Sequence, residues 1–497
     1  MTEHTPSTPP TAPIPSGDDA VARAAAGGAG DGAAGTEHPR ADHTGTDHHS
    51  GTERAVTGSI RTITGSIRTS TPTGAIRTLG ANPATAPVML HPGDAIPAAR
   101  RVVYIILLGA LTALGPFTID LYLPAFPVLE ADFQTTAAAI QLTLTGTMIG
   151  FAIGQLIVGP LSDKVGRRFP LIAVTALHVL ASVAAAFSSE LLLLGAARVL
   201  MGIGAAAGGV VAMAIVRDLF GGRRLVVMLS RLALVSGVAP VVAPLIGSWL
   251  LGVMPWQGIF IVLAVYGAVM LVSALVLIPE TLPRERRQER GATTVWQRYR
   301  SVLSDRVFVG VLIIGGMTFS GLFSYLSASP FLFQQTHGLD AQQYGLLFAA
   351  NSVGVVVGVQ VSSRLAARFG PQWVLAVSTA VLLLSGTAII VTDQLGLGLW
   401  GTVVPLWLFM TACGFSFPCV QVLALDRHGK AAGTAASILG ASNNGVAALI
   451  SPIVGWIAKD AGITATTMAS VMVGCAVVGI LSLWLIVRPR TVGMLSP

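Results

Sequence analysis

The stretch GPLSDKVGRR, residues 159–168, decides the fold, because it is a compact block of charge between two long segments that have almost none. Its charged residues are Asp163, Lys164, Arg167 and Arg168. Charge is costly at the centre of a bilayer, so the stretch predicts a loop at a membrane surface between two spanning segments. Gly159 and Gly166 allow a tight turn or a close backbone approach there. On its charges alone, the loop is equally compatible with a positive-inside anchor that has no further role.

Outward from this loop, the chain is a series of apolar segments. Of its 497 residues, 53% are apolar and 11% are charged, against about 25% charged residues in soluble domains. From Val102 onward we identify twelve segments long enough to cross a membrane, given about 20 residues for each crossing. They run over residues 102–126, 138–160, 169–188, 191–215, 225–250, 256–279, 307–332, 342–361, 371–392, 397–425, 433–457 and 463–487. The sequence therefore predicts an all-α membrane protein with twelve transmembrane helices.

The longest polar linker, residues 280–306, divides the twelve segments into two groups of six. It predicts an N-terminal six-helix bundle at 98–279 and a C-terminal six-helix bundle at 307–488. The stretch SSRLAARFG, residues 362–370, has in the second group the place that 159–168 has in the first, and it keeps two arginines and a glycine without the acid. The similarity of these two stretches favours two related structural repeats.

Residues 1–97 precede the first segment and are rich in Thr, Ala, Gly, Pro and His. They show no apolar periodicity and cannot bury enough surface to fold, so we predict a disordered, low-complexity tail. Its histidines fix no ligand geometry, and we expect no metal site. Met89, just ahead of the first segment, is an alternative start of translation.

The basic residues predict how the chain is oriented. Of the twenty-four Lys and Arg after the tail, all except Arg198 and Lys459 lie in or close to the connections on one side, which include 159–168 and 280–306. By the positive-inside rule this side is cytoplasmic, and both termini lie on it. We therefore expect a multi-pass protein of the cytoplasmic membrane. The same distribution explains the net charge of +7 without nucleic acid as a partner.

The pattern G-P-L-S-D-x-x-G-R-R at 159–168 resembles the signature loop of the major facilitator superfamily. That resemblance implies a fold of two six-helix repeats, and alternating access in which the two halves rock around a central site. It also implies a conformational gate, a charge cluster that locks the outward-facing state. The gating residues are then Gly159, Asp163, Gly166, Arg167, Arg168, Arg217 and Asp218. Within this cluster, Asp218 is expected to pair with Arg167.

The first segment contains LGPFTIDLYLPAFP, residues 114–127, with an acid at membrane depth. An acid inside an apolar helix is a functional candidate because its charged form is costly there; the alternative is that Asp120 reaches the outer interface and is solvated. The stretch resembles the first-helix motif of twelve-span drug:proton antiporters. This resemblance makes Asp120 the candidate proton-coupling acid and Tyr122 a candidate cavity residue.

The fourth segment contains ARVLMGIGAAAGG, residues 197–209, and resembles the fourth-helix motif of the same family, with Met201 where Gln is common. Arg198 is the other ionised residue at membrane depth, and such a residue normally faces a cavity or a partner. At about 1.5 Å per residue, Asp120 and Arg198 lie roughly 9 to 11 Å from the outer ends of their segments. The resemblance implies that segments 1 and 4 face each other, so we expect the two side chains to approach, with Arg198 tuning proton release by Asp120.

The fifth segment contains SGVAPVVAPLIGSWL, residues 236–250, which resembles the antiporter motif of proton-driven exporters; Ala243 and Ser248 stand where that motif has Gly. Its prolines remove backbone donors, and with the flanking glycines they favour a bent helix. The predicted bend residues are Gly237, Pro240, Pro244 and Gly247.

The second half has no Asp, Glu, Lys or Arg well inside a segment. Its polar candidates for the substrate cavity are Asn351, Gln421, Asn443 and Asn444, although most residues of this kind only bond neighbouring helices. A largely apolar cavity suits lipophilic substrates better than sugars, which need many paired hydrogen bonds.

The sequence also excludes several classes of protein. It contains no phosphate-binding P-loop, metal-ligand cluster or Ser-His-Asp arrangement, which argues against an ATP-driven pump and against an enzyme, and implies no cofactor. The three cysteines, Cys413, Cys419 and Cys475, lie in apolar segments and predict no disulfide framework. The energy source is then a gradient.

Over residues 100–490 the resemblance is closest to the bicyclomycin- and chloramphenicol-resistance branch of the superfamily. It implies a monomeric, proton-coupled multidrug exporter that takes small lipophilic substrates. A major facilitator transporter of a metabolite, such as a dipeptide, an amino acid or a siderophore, is the alternative. A substrate-sensing receptor without transport is a third interpretation.

Overall fold

The computed structural model describes residue 93 and residues 96–287, 295–428, 432–459 and 462–491. All of these belong to one unit of the chain, residues 83–497. The predicted disordered tail, its histidines and Met89 lie outside the described residues, apart from the last few positions before the first helix. Throughout the described part the regular structure is helical, without strands.

Twelve spans in the described part are long and apolar enough to cross a membrane, which confirms the predicted number. The α-helices are α1 (Ala98–Asp120), α2 (Phe126–Asp132), α3 (Ala137–Val165), α4 (Arg168–Ala186), α5 (Leu191–Leu219), α6 (Gly222–Val253), α7 (Gln257–Leu277), α8 (Val295–Leu303), α9 (Arg306–Phe331), α10 (Ala341–Phe369), α11 (Pro371–Gln394), α12 (Gly398–Asp426), α13 (Ala432–Ile450), α14 (Ile453–Ile457) and α15 (Ala465–Leu481). The first span joins α1 to α2, and the eleventh joins α13 to α14. α8 lies in the predicted linker 280–306, of which residues 288–294 fall outside the described part.

The charged stretch 159–168 is mostly helix, so the predicted loop is wrong in its extent. α3 continues through this stretch to Val165, and only Gly166, with φ +109°, and Arg167 form the turn. A helix of 29 residues is about 43 Å long, against about 30 Å for the hydrocarbon core, so its charged end reaches water. α10 ends in the same way at Gly370, with φ +84°.

In each half the second and fourth spans pack closely through glycines. Between α3 and α5, a Cβ on Gly150 would collide with the carbonyl of Val199 and lie 3.0 Å from the Cα of Gly202. Between α10 and α12, a Cβ on Gly358 would lie 3.0 Å from the Cα of Gly414. Small residues let transmembrane helices approach in this way. The same contact thus recurs in both halves.

The two halves are in contact along α3 with α13 and along α6 with α10. We call the end of the bundle at which Val165 lies the loop end, and the opposite end the far end. At the far end one apolar core contains residues of both halves, including Phe126 and Phe331. At the loop end two separate cores lie one in each half, around Phe220 and around Phe308. The halves are therefore joined at the far end and parted at the loop end.

Candidate functional site

A cavity of about 560 Å³ lies between the halves at the loop end. It is lined by α3 and α5 of the first half, by α12 and α13 of the second, and by α8 of the linker. Its polar and charged lining residues are Gln155, Ser162, Asp163, Arg167, Arg217, Asp218, Tyr299, Gln421, Thr434 and Ser437. Arg217 and Gly433 in the lining are exposed, so water reaches the cavity.

Arg167 is the centre of the predicted gating cluster, and its side chain is only 9% exposed. Its Nη1 donates to Asp163 Oδ1 at 2.5 Å and to Ser162 Oγ at 2.8 Å. Its Nε donates to Asp218 Oδ2 at 2.9 Å, so the expected pair of Arg167 and Asp218 is present. Asp218 also accepts from the hydroxyl of Thr281 at 3.3 Å. Burial alone would lower the pKa of Arg167, but Asp218 and Asp163 outweigh it and raise that pKa.

Glu280, which sequence reasoning missed, closes the same cluster from the linker. One of its carboxylate oxygens accepts the backbone N–H groups of Arg167 at 2.8 Å and Leu282 at 2.9 Å, and the other accepts that of Arg168 at 3.3 Å. It thus caps the N-terminus of α4, where a negative charge is favourable. Burial would raise the pKa of Glu280, but these N–H groups, together with Arg287 at 3.7 Å, hold it below its ordinary value.

Gly166 is required at this turn for two reasons. Its φ of +109° is one that other residues rarely adopt, and a Cβ there would lie 2.8 Å from Nη2 of Arg287 and collide with the Glu280 carboxylate. Arg168 points back along α7, where its Nη2 donates to the carbonyl of Leu275 at 2.8 Å.

The sequence signal that could have identified Glu280 is its position as the first charged residue after the sixth span.

Arg198 is fully buried in the first half, with an exposure of 0%. Its Nη1 donates to the backbone oxygen of Thr118 at 2.7 Å, and its Cζ lies 3.9 Å from the centre of the Tyr122 ring. The Thr118 hydroxyl is 2.9 Å from Nε2 of His178. The Tyr122 hydroxyl is hydrogen-bonded to Thr143. Nε and Nη2 of Arg198 have no hydrogen-bond partner in the described part of the protein, and a buried cation of this kind is costly.

Asp120 does not form the expected contact with Arg198, since no ion pair or hydrogen bond joins them among the described residues. Arg198 contacts Thr118 of α1 and Tyr122 just beyond the end of α1. Each is two positions from Asp120, which therefore lies on the other side of this helical stretch. Asp120 lies instead on the side of Tyr325 and Tyr344 of the second half. Its exposure of 5% does not match the alternative of a solvated position at the outer interface.

The two phenols near Asp120 belong to a buried polar group in the second half. Tyr325 accepts a hydrogen bond from Asn351 Nδ2 at 3.2 Å. The hydroxyl of Tyr344 lies 3.0 Å from that of Ser329. The buried acid of one half thus lies near buried hydroxyl groups of the other half at the closed far end.

Of the predicted substrate residues, Gln421 lines the cavity at the loop end. Those that do not line it are Tyr122, Asn351, Asn443 and Asn444. Asn444 donates to the carbonyl of Gly440 in its own helix at 2.9 Å, and Asn443 Oδ1 lies beside Gly315 of α9. In this conformation Asn351 and Asn444 bond within the helix bundle, whereas Asn443 Oδ1 is buried without a hydrogen-bond partner in the described part.

Hydrogen bonds between the halves close the far end. Gln141 Nε2, which is buried, donates to the backbone oxygen of Ser327 at 3.1 Å. Gln335 Nε2 donates to Glu130 Oε2 at 2.7 Å nearer the surface. These bonds lie on the apolar core that the two halves share.

The four predicted bend residues all lie in one continuous helix, α6. A Cβ on Gly247 would collide with the carbonyl of Leu121, just beyond the end of α1. The carbonyl of Pro244 lies against Gly345 of α10 in the second half. α6 therefore touches both halves near the far end.

A sequence model of the Major Facilitator Superfamily matches residues 106–452 and again residues 327–495. The chain is 35% identical over 394 residues to the uncharacterized MFS-type transporter YdgK of Bacillus subtilis (strain 168), covering 79% of this chain and 97% of that protein. It is 29% identical to a bicyclomycin resistance protein homolog of Haemophilus influenzae, covering 76% of this chain and 95% of the relative. It is 28% identical to the multidrug resistance protein MdtL of Escherichia fergusonii, covering 77% of this chain and 95% of the relative.

Two solved structures have the same fold. A bacterial homolog of the human lysosomal transporter Spinster, in an inward-facing and unoccupied conformation, aligns with a TM-score of 0.61 and 15% identity over 81% of this chain and 100% of that one. The nucleoside transporter NupG aligns with a TM-score of 0.61 and 14% identity over 78% of this chain and 99% of that one. Together with the twelve spans, these matches show that the chain is a multi-pass membrane transporter that belongs to the major facilitator superfamily.

Proposed function

We propose that this chain is a monomeric, proton-coupled exporter of small lipophilic drugs, which works by alternating access in the cytoplasmic membrane. Relatives named for bicyclomycin resistance and multidrug resistance support the substrate class. The single observation that carries the proton coupling is the position of Asp120, a buried acid between the two halves.

The distribution of charge supports an orientation in which the loop end is cytoplasmic. Arg167, Arg217 and Arg287 lie at that end, whereas Glu130 and Asp132 lie at the far end. In this orientation both termini are cytoplasmic. The cavity then faces the cytoplasm, and the structure represents the inward-facing state.

Asp120 is suited to coupling because its surroundings change when the halves move. In this conformation it faces Tyr325 and Tyr344 across the closed far end, where it is 5% exposed. Opening the far end would part α1 from these phenols and admit water, which can carry a proton away. Arg198 holds α1 through Thr118, so we assign it the positioning of Asp120 rather than an ion pair with it.

Of the residues in the gating cluster, Asp163 is the one placed to contact the second half when the loop end closes. Arg167 and Asp218 are bonded to each other inside the first half. Asp163 has a side chain that is 40% exposed, and it lines the cavity together with Gly433 in the first turn of α13. A helix N-terminus attracts a carboxylate, so closing the loop end would bring Asp163 to a favourable partner. The cluster would then favour the outward-facing state without breaking its own ion pairs.

Proton movement in proteoliposomes that contain a pH-sensitive dye tests this function. A gradient of chloramphenicol, bicyclomycin or ethidium is expected to drive protons in the opposite direction. Asp120→Asn should abolish this flux while it keeps part of the drug binding. Asp132→Asn is the matched control, because it changes an acid at the far-end surface that is bonded to Trp256, and it should transport like the wild type. Unchanged flux in Asp120→Asn would remove this acid from the mechanism.

A metabolite transporter is the second candidate, favoured by the hydrogen-bonding side chains of Gln155, Gln421 and Ser437 in the cavity. A growth-inhibition panel of antibiotics and dyes, with and without expression, separates the two. Broad resistance that an uncoupler abolishes supports the drug exporter. Unchanged sensitivity to every compound supports the metabolite transporter. Substrate-dependent proton movement excludes a receptor without transport.

A further inference from the structure

The linker helix α8 touches both halves at the loop end. Val302 near its end is fully buried in the apolar core of the second half. One turn earlier, Tyr299 lines the cavity, and its hydroxyl donates to the backbone oxygen of Leu156 in α3 at 3.3 Å. α8 therefore runs from the second half to the first along the wall of the cavity.

The carbonyl of Leu156, which Tyr299 binds, lacks its usual hydrogen-bond donor within the helix for a specific reason. In an α-helix the oxygen of Leu156 would accept the N–H of the residue four positions later. That residue is Pro160, which lies inside α3 and has no N–H. The hydroxyl of Tyr299 thus replaces the missing donor from a different part of the chain. Partial burial raises the pKa of Tyr299, so the phenol remains a hydrogen-bond donor at neutral pH.

We propose that α8 is a strap across the loop end, anchored in the second half by Val302 and fastened to the first half by Tyr299 on the carbonyl that Pro160 leaves free. The bond joins the two halves in the conformation in which the loop end is parted. Closing the loop end moves α3 relative to the second half and breaks the bond between Tyr299 and Leu156. The strap therefore stabilises the conformation in which the loop end is open. Tyr299 is then a positioning residue that acts on the balance between conformations. The inference rests on alternating access and not on the drug or proton assignment.

The test measures how fast a charged maleimide labels a cysteine introduced in the cavity by Ser437→Cys, in the full-length protein in detergent. The native cysteines are buried and set the background rate; they are Cys413, Cys419 and Cys475. Ser363→Cys, at an exposed position that is not part of the cavity lining, reports changes in reagent or detergent.

Tyr299→Phe removes only the hydroxyl and should lower the ratio of open to closed loop end roughly two- to tenfold, the effect of one hydrogen bond, and the labelling rate in the cavity should fall with the open fraction. Tyr104→Phe is the matched control, because the Tyr104 hydroxyl donates to the carbonyl of Leu277 at 3.4 Å within the first half. This control should label at the wild-type rate. An unchanged or faster rate in Tyr299→Phe would overturn the strap.

Pro160→Ala gives α3 its missing N–H and lets the helix itself satisfy the carbonyl of Leu156. If Tyr299 acts through that carbonyl, the double variant of Pro160→Ala and Tyr299→Phe should have a labelling rate no lower than that of the slower single variant. Two effects that multiply would contradict the proposal. If Pro160→Ala does not fold, as judged by size-exclusion chromatography, the comparison of Tyr299→Phe with Tyr104→Phe still decides. The measurement uses no drug and no proton gradient, so a failure of transport in proteoliposomes leaves it intact.

Discussion

Neighbouring residues at the end of α1 and just beyond it contact different halves of the molecule. Thr118 and Tyr122 hold Arg198 inside the first half, whereas Asp120 faces the second half. This division follows from the helix itself, in which each residue turns by about 100°, so that positions two apart lie on opposite sides. One helix thus connects a buried cation to a buried acid that do not form an ion pair.

Replacing Arg198 by Met should abolish transport without lowering thermal stability. The guanidinium is fully buried, two of its nitrogens have no partner in the described part, and apolar replacements of such charges are often neutral or stabilising. The measurements are the melting temperature in detergent and the drug-driven proton flux. Arg198→Lys is the control, since it keeps the charge but cannot stack flat on Tyr122. A clear fall in the melting temperature of the Met variant would contradict this prediction.

Glu280 should make the stability of the protein depend on pH. Because its pKa in the folded state lies below the ordinary value, its contribution is present above the pKa of the unfolded chain and is lost as the pH falls through the folded pKa. The melting temperature of the wild type should therefore exceed that of Glu280→Gln from pH 7 down to about pH 5. The two melting temperatures should converge below about pH 4. Glu285→Gln, an exposed acid of the same linker, should show no such gap. A gap that widens on acidification would be the opposite of what we expect.

The acid and the arginine at membrane depth could be recognised from sequence, because each interrupts an apolar run. Their direct contact was wrongly predicted because equal depth on facing helices does not fix the direction of a side chain around its helix. The angle between Asp120 and its neighbours around the helix was already contained in their spacing. Glu280 could not be linked to Arg167 in this way, because the contact spans 113 positions of the chain and depends on how α7 packs on α4.

Among the elements, the ends of helices carry the candidate gate. α3 runs beyond the hydrocarbon core and stops where Gly166 takes a positive φ, and α10 repeats this ending at Gly370. The charges of the gate therefore lie on a rigid helical end, close to the N-terminus of α4 that Glu280 caps.

Gly166→Ala should destabilise the protein, because the turn needs φ +109° and a Cβ would collide with the Glu280 carboxylate. Gly195→Ala is the control, since a Cβ on this residue of α5 would have no neighbour within 4 Å and Ala favours a helix more than Gly does. Thermal unfolding followed by tryptophan fluorescence should show a lower melting temperature for the first variant only. Equal melting temperatures would mean that the turn tolerates a side chain.

The twelve spans could be predicted because each has about 20 mainly apolar residues, a length of apolar sequence that indicates a transmembrane helix. The ends of the spans were less predictable, because charge marks the membrane surface and not the end of a helix. α8 was missed because nine residues that include two arginines form too short a periodic pattern to stand out. The break after Asp120 in the first span comes four residues before Pro124, which has no N–H to donate to the carbonyl of Asp120, so this break was open to prediction.

For the whole molecule, the far end is held by a few polar bonds on a shared apolar core. Gln141→Ala removes one of them and leaves the carbonyl of Ser327 without this donor, so the far end should open more often. Spin labels introduced by Val128→Cys and Leu395→Cys, exposed positions of the two halves, report the distance by double electron–electron resonance. The variant should gain a longer distance, whereas Gln343→Ala, which changes only the cap of α10, should not. Identical distributions would show that this bond does not hold the halves together.

The single apolar core that both halves share at the far end makes the transport cycle respond to temperature. Opening that end splits the core and wets its surfaces, whereas closing the loop end brings together surfaces that carry Asp163, Arg217 and other polar groups. Splitting the shared core exposes apolar surface, and this part of the exchange has a positive heat-capacity change. Hydrophobic attraction weakens on cooling. Cooling therefore weakens the attraction that keeps the far end closed, and we expect it to shift the resting protein toward the form in which the far end is open.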